Sequence, residues 1–248
     1  MEIASVHAPG RHHLSLLDVE KYITYKKAML TTHEFSCLLK KADPKLNLAA
    51  TVKNLTFYVL AFQDIMRLAA ECVTNPLLSE IVQNHYEACR GHDQRFLNDL
   101  ELLTEIPTLH FLFSSSHHPV RDIAYELIAD ILRTDTDLQR TALILSLETA
   151  GEIFFQEIIS AFEQRDRQYN LQYFTRLHHD LTLSQIKSEQ SWENQLADIP
   201  VGLVELELCE NTVNLTFARM DKLANYLLGY LNSPSDITAI NQQNVTYE

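Results

Sequence analysis

ALILSLETAGEIFFQEIISAF, residues 142–162, decides the fold class. Leu143, Ile144, Leu145, Leu147, Ile153, Phe154, Phe155, Ile158, Ile159 and Phe162 go most of the way round a helix, so no wide polar face is left for water. A helix of that kind needs other helices on every side. The spacing predicts a central helix over about 137–165, set inside an all-α bundle.

Working outward, the prolines at 9, 44, 76, 107, 119, 200 and 234 fall where a helix would break. Between them, apolar periodicity predicts helices over about 15–42, 46–73, 76–103, 119–133, 170–197 and 203–231, about seven with the central one. Ser15 and Asn75 suit N-caps and Pro76 the first helical position. Ile123, Leu127 and Ile131, at spacings of four, mark the core face of the helix over 119–133. VELELCE, residues 204–210, alternates with a period of two and admits a short strand, although a lone strand has no partner to pair with.

The sequence contains no obvious linker, repeat or low-complexity segment. It reads as one domain over 1–248, with a core over about 15–231 and a polar, loose tail over 232–248. Five glycines in 248 residues is well under the usual share of about 7%, which disfavours all-β and doubly wound folds and any glycine-rich nucleotide loop. Net charge is −13 with scattered Lys and Arg, which excludes a basic nucleic-acid face. Four cysteines without a CxxC pair suit a reducing compartment. The first residues lack a signal-peptide layout and no stretch is long and apolar enough for a membrane span, so the expectation is a cytoplasmic protein that touches no membrane. The dense apolar helices also make a homodimer a reasonable expectation.

Three stretches carry chemistry. QNHYEACRGHDQRF, residues 83–96, puts His85, Cys89 and His92 on one helical stripe, with Glu87 about 140° away from His92 and Gly91, unfavourable in mid-helix, as a place for a bend. On the central helix Glu148 and Glu152 lie among aliphatic and aromatic residues, where a carboxyl group needs a basic partner at the rim, a metal, or acid-base duty. RLHHD, residues 176–180, places two histidines about 100° apart on a helix; His179 shares a line with Leu183 and Ile186 and is the inward candidate, and His178 is the more exposed. Two imidazoles and one carboxylate converging from different helices are a ligand set for non-haem Fe(II).

The helix order and the segments NHYEACRGHDQRFLNDLELL, ALILSLETAGEIFF and YFTRLHHD resemble the haem-oxygenase-like helical proteins over roughly residues 15–230. Within that superfamily they are most similar to the branch related to the chlamydial protein associating with death domains, which includes iron-dependent oxidases and oxygenases. The resemblance implies a Glu ahead of a His on the third helix, a Glu on the fifth, and a late His-x3-Asp/Glu-x2-His pattern. His92, Glu148 and His179 match parts of it. Cys89 stands three before His92 where a Glu is looked for, with Glu87 close by, and Leu183 and Ile186 replace the last two ligands of the late pattern.

The resulting expectation is a metal-dependent oxidase or oxygenase acting on a small organic substrate in the bundle core. His92, Glu148, His179 and Glu87 would hold Fe(II) or Mn(II), with His85, Cys89 and Glu152 in support. The alternatives are a metal-free scaffold that binds a ligand or a protein, a cofactor-free oxidase like the pyrroloquinoline-quinone synthase branch, and a thiaminase-like use of Cys89 as nucleophile with Glu148. Haem and nucleotide are not expected; His33, the early-helix candidate for a haem ligand, sits in TTHEFS, which has no haem-specific feature.

Overall fold

The computed structural model describes residues 13–41, 46–164, 170–186 and 192–233, without the side chains at 183, 185, 186 and 192. Their helices are α1 (Leu16–Leu30), α2 (Glu34–Lys40), α3 (Leu48–Cys72), α4 (Pro76–Ala88), α5 (His92–Leu103), α6 (Leu109–Leu112), α7 (His118–Arg133), α8 (Asp137–Glu163), α9 (Arg176–Ile186), α10 (Trp192–Ala197) and α11 (Leu203–Leu231). A 3₁₀ turn over Ser115–His117 leads into α7. Among the described residues there is no strand, and one isolated bridge joins Ser15 to Pro200.

Several ends form as the caps require. The Asn75 side chain accepts from the N–H groups of Leu77 and Leu78 with Pro76 at the first turn, and Asp18 accepts from the Ser15 N–H at 3.0 Å. The expected helix over 15–42 is interrupted at 31–33, where His33 Nδ1 accepts from the Phe35 N–H and starts α2. The expected helix over 76–103 is broken at Gly91, whose φ of +77° ends the α4 turn and starts α5 afresh. The expected helix over 170–197 begins only at Arg176. The expected strand over 204–210 lies inside α11, because Cys209, Val213 and Phe217 at spacings of four reach the core, and Leu203 and Val204 stay in water at 75% and 69% exposure. Of the alternating Val204, Leu206 and Leu208 none is buried, so the alternation is no core-facing pleat. The expected loose tail lies mainly at 234–248, outside the described residues.

The core is one contiguous cluster built around α8. Its first half is buried on all sides, and it packs most extensively on α11 and also on α1, α2, α3, α4 and α9. Polar ties fix the neighbours: Lys27 meets Glu152 at 2.7 Å, Lys40 meets Glu157 at 3.1 Å, and Arg219 of α11 grips Asp130 of α7 bidentately at 2.6 and 2.9 Å. No described helix is long and apolar enough to cross a membrane.

Candidate functional site

Past Leu147 the apolar ring of α8 opens on one side. There a cavity of about 90 Å³ is enclosed by α3 (Tyr58, Val59, Phe62), α4 (His85), the α4–α5 turn (Cys89), α5 (His92), α8 (Leu145, Glu148, Thr149, Glu152, Phe155, Ile159) and α9 (His178, His179, Thr182). Tyr173, just before α9, and Glu20 of α1 complete the wall. Gly91 makes the α4–α5 wall possible: because α5 restarts there, His85 and Cys89 at the end of α4 and His92 at the start of α5 border the same space. The Gln63 side chain donates to the Cys89 carbonyl and caps that turn.

The cavity has two chemically distinct ends. At one, the Cys89 thiol donates to Glu148 Oε1 at 3.0 Å, with buried Tyr58 alongside. Burial, and then the Glu148 charge, push the Cys89 thiol well above its ordinary range; burial does the same to the Tyr58 and Tyr173 phenols, again with Glu148 adding to it. The thiol is protonated at rest and has a carboxylate within hydrogen-bond reach, the pairing a nucleophile makes with its general base, so the geometry does not remove the thiaminase-like alternative. At the other end His92 and His178 meet edge to face, ring centres 4.7 Å apart, with Tyr173 at 5.6 and 5.4 Å from them. Burial, then His178 and Arg95, lower His92 to about 3; burial, then Arg95 and His179, lower His178 to about 4. Both are neutral imidazoles at pH 7. The buried Nε2 of His92 has no hydrogen-bond partner.

The expected ligands are thus only partly brought together. His92, Glu148, His85, Cys89, Glu152 and His179 all border the cavity, and Glu87 does not: it lies on the outer face of α4, paired with Arg90 at 2.9 Å and Gln83 at 3.1 Å. Five residues before His92 it faces away, and the break at Gly91 does not turn it inward. Glu152 is neutralised by Lys27 and bonded to Gln156, which also lies 3.4 Å from His179. Glu148 accepts a hydrogen bond from the Cys89 thiol. Among the described residues no three His, Cys, Asp or Glu side chains converge as a metal-binding group. As arranged, they do not fit the expected Fe(II) or Mn(II) tripod.

His178 is the residue that sequence reasoning misplaced. It is not the outer histidine: His178, His179 and Thr182 all face the cavity, and Leu177 and Leu181 face water at 71% and 54% exposure. The side chains of Leu183 and Ile186, placed on the inward line, lie outside the description. Thr175 was the available signal, since its hydroxyl accepts from the His178 N–H as a cap does and dates the helix start to 176. Tyr58 and Tyr173, which line both ends, carried no signal that separates them from ordinary core aromatics. His33 is spent on capping α2, with Nε2 3.6 Å from Asp221, and what α1 sends to the cavity is Glu20, not a histidine.

No family model matches the chain, and no curated protein matches it by sequence. Solved structures do. Heme oxygenase-1 from the cyanobacterium Synechocystis sp. PCC6803, solved in complex with heme, superposes with a TM-score of 0.53 over 93% of this chain and 97% of its own, at 18% identity. At that identity the likeness speaks to the fold: the chain is an all-α, haem-oxygenase-like helical bundle.

Proposed function

We propose that the protein binds a small organic molecule in the cavity between α3, α4, α8 and α9, without a resident metal, and that His92 is the group that hydrogen-bonds it. The carrying observation is His92 Nε2, buried at the cavity wall with no partner. An unsatisfied buried polar atom costs about 1–3 kcal/mol, and a bound molecule with a suitable polar group recovers it. Tyr58, Phe62, Phe155 and Tyr173 supply ring faces for an apolar body, which is the usual division of labour in ligand pockets. At pKa values of about 3 and about 4, His92 and His178 are weak bases, so they serve the bound molecule as hydrogen-bonding partners rather than as proton acceptors.

The test is saturation-transfer NMR with a panel of small polar fragments no larger than one five-membered ring, such as imidazole, pyrazole and furan, on the wild type and on Val59→Trp, which fills the cavity. Fragments that bind the wild type and not the filled variant support the reading. No binding, or binding that survives the filling, overturns it. An Fe(II) or Mn(II) oxidase is the second reading, favoured by the same orphan nitrogen and by His178 and His179 on the same cavity wall. Anaerobic Fe(II) loading, desalting and metal analysis decide it: near-stoichiometric iron in the wild type that is lost in His92→Ala, Glu148→Ala and His179→Ala would replace the metal-free reading.

A further inference from the structure

Asp99 sits seven residues after His92 on α5, is fully buried and lines no part of the cavity. Its carboxylate is not matched to a cation; it accepts from three consecutive main-chain N–H groups, those of Gln172 at 2.5 Å, Tyr173 at 2.9 Å and Phe174 at 2.9 Å. Burial raises the Asp99 carboxyl above its ordinary range even though all three bonds pull the other way. So the burial is costly, and a core position filled for packing alone would carry an apolar residue.

The segment it holds explains the choice. Tyr173 forms the cavity wall, and two residues beyond it Thr175 starts the helix that carries His178 and His179. Positions 92, 96 and 99 of α5 form one stripe against this segment. His92 and Phe96 touch it through rings, with Phe96 at 5.6 Å from Tyr173 and 5.9 Å from Phe174, contacts that tolerate sliding. Asp99 adds directional bonds that do not.

We propose that Asp99 is a positioning residue of the cavity: by fixing the backbone at 172–174 it sets where Tyr173 and His178 stand at the imidazole end. The proposal rests on the cavity being the functional site, but its test does not need a ligand. The protein is prepared with 3-fluorotyrosine and the Tyr173 ¹⁹F resonance is assigned with Tyr173→Phe. In Asp99→Asn, which keeps one acceptor oxygen and presents an N–H₂ to main-chain donors, the Tyr173 resonance moves or splits while those of Tyr58 and Tyr226 hold their positions. Ile131→Ala, in a fully buried position on α7, loosens the core away from the 172–174 segment and serves as the control for general destabilisation. Any fragment that binds the wild type loses at least tenfold in affinity in Asp99→Asn.

A folded Asp99→Asn variant with an unmoved Tyr173 resonance overturns the proposal. So does an Ile131→Ala variant that reproduces the same change, or a shift of all tyrosines together. If the Tyr173 resonance responds as expected and no fragment binds even the wild type, Asp99 positions the wall and the reading of the cavity as a ligand site falls alone.

Discussion

His92 and His117 look alike to electrostatics and differ in what adjoins them. His117, at the end of the 3₁₀ turn, is 1% exposed, and neither of its ring nitrogens has a hydrogen-bond partner. Its ring lies 4.0 Å from that of Phe111 and 6.2 Å from that of Tyr226. Burial lowers its pKa, helped by Arg121 and Lys53, much as burial, His178 and Arg95 lower that of His92. Yet His117 is wedged between rings away from the cavity, and His92 borders open space. A depressed pKa and a missing partner therefore do not mark a site by themselves; a ring that also lines a cavity does.

The comparison breaks hardest at the packing under His92. Phe96→Ala, in a fully buried position, is expected to cost about 3–5 kcal/mol in urea unfolding, because the rings of Tyr173 and Phe174 lose their support together. Acid comes next and acts on both histidines with one sign. In the unfolded chain they titrate near 6.5, and in the folded one His92 and His178 stay neutral to about 3 and about 4. Between those limits the unfolded state binds more protons, so stability is lost as pH falls below about 6.5, by up to about 1.4 kcal/mol per pH unit for each histidine. Denaturant unfolding from pH 7.5 to 4.5 checks this, and His92→Gln and His117→Gln should each flatten the slope.

A smaller effect separates the two sites. His117→Leu removes an unsatisfied polar ring from a packed corner and is expected to stabilise by about 1 kcal/mol, read as a thermal midpoint raised by a few degrees, with fragment binding unchanged. His92→Leu gains stability in the same way and abolishes fragment binding. If both variants lose binding, or neither does, the distinction drawn from adjoining space is wrong. The smallest effect is expected at Glu87→Ala, whose exposed pair with Arg90 contributes nothing measurable to unfolding and nothing to the cavity.

Helix content was legible because it follows from punctuation and periodicity: Asn75–Pro76, the 142–162 run and the 123, 127, 131 stripe all became what their spacing requires. The interruptions were less so. Gly91 was readable as a weak point, but only the backbone tells a bend from a left-handed residue that ends one helix and begins another. For the site, periodicity identified His92 and Glu148 as inward and paired them as ligands. It did not see that Glu148 would be turned toward Cys89, since that depends on how α8 is rotated against the α4–α5 turn. His178 was misassigned for a related reason: a helix wheel gives relative angles, and the absolute direction comes from the segment before it, which Asp99 holds through main-chain groups no side-chain pattern records.

That left-handed residue has a consequence for how the chain tolerates insertions and deletions. Surface connections usually accept a residue more or less. The α4–α5 connection is different, since Cys89, Arg90 and Gly91 are all that joins the two helices and removing one of them would force α5 to start in another orientation. His92, Phe96 and Asp99 would leave the cavity side as a set, and the imidazole end and the anchor of its opposite wall would be lost in a single event. Length variation in this fold is thus expected to collect at the connections flanking α6 and to be absent at residues 89–92.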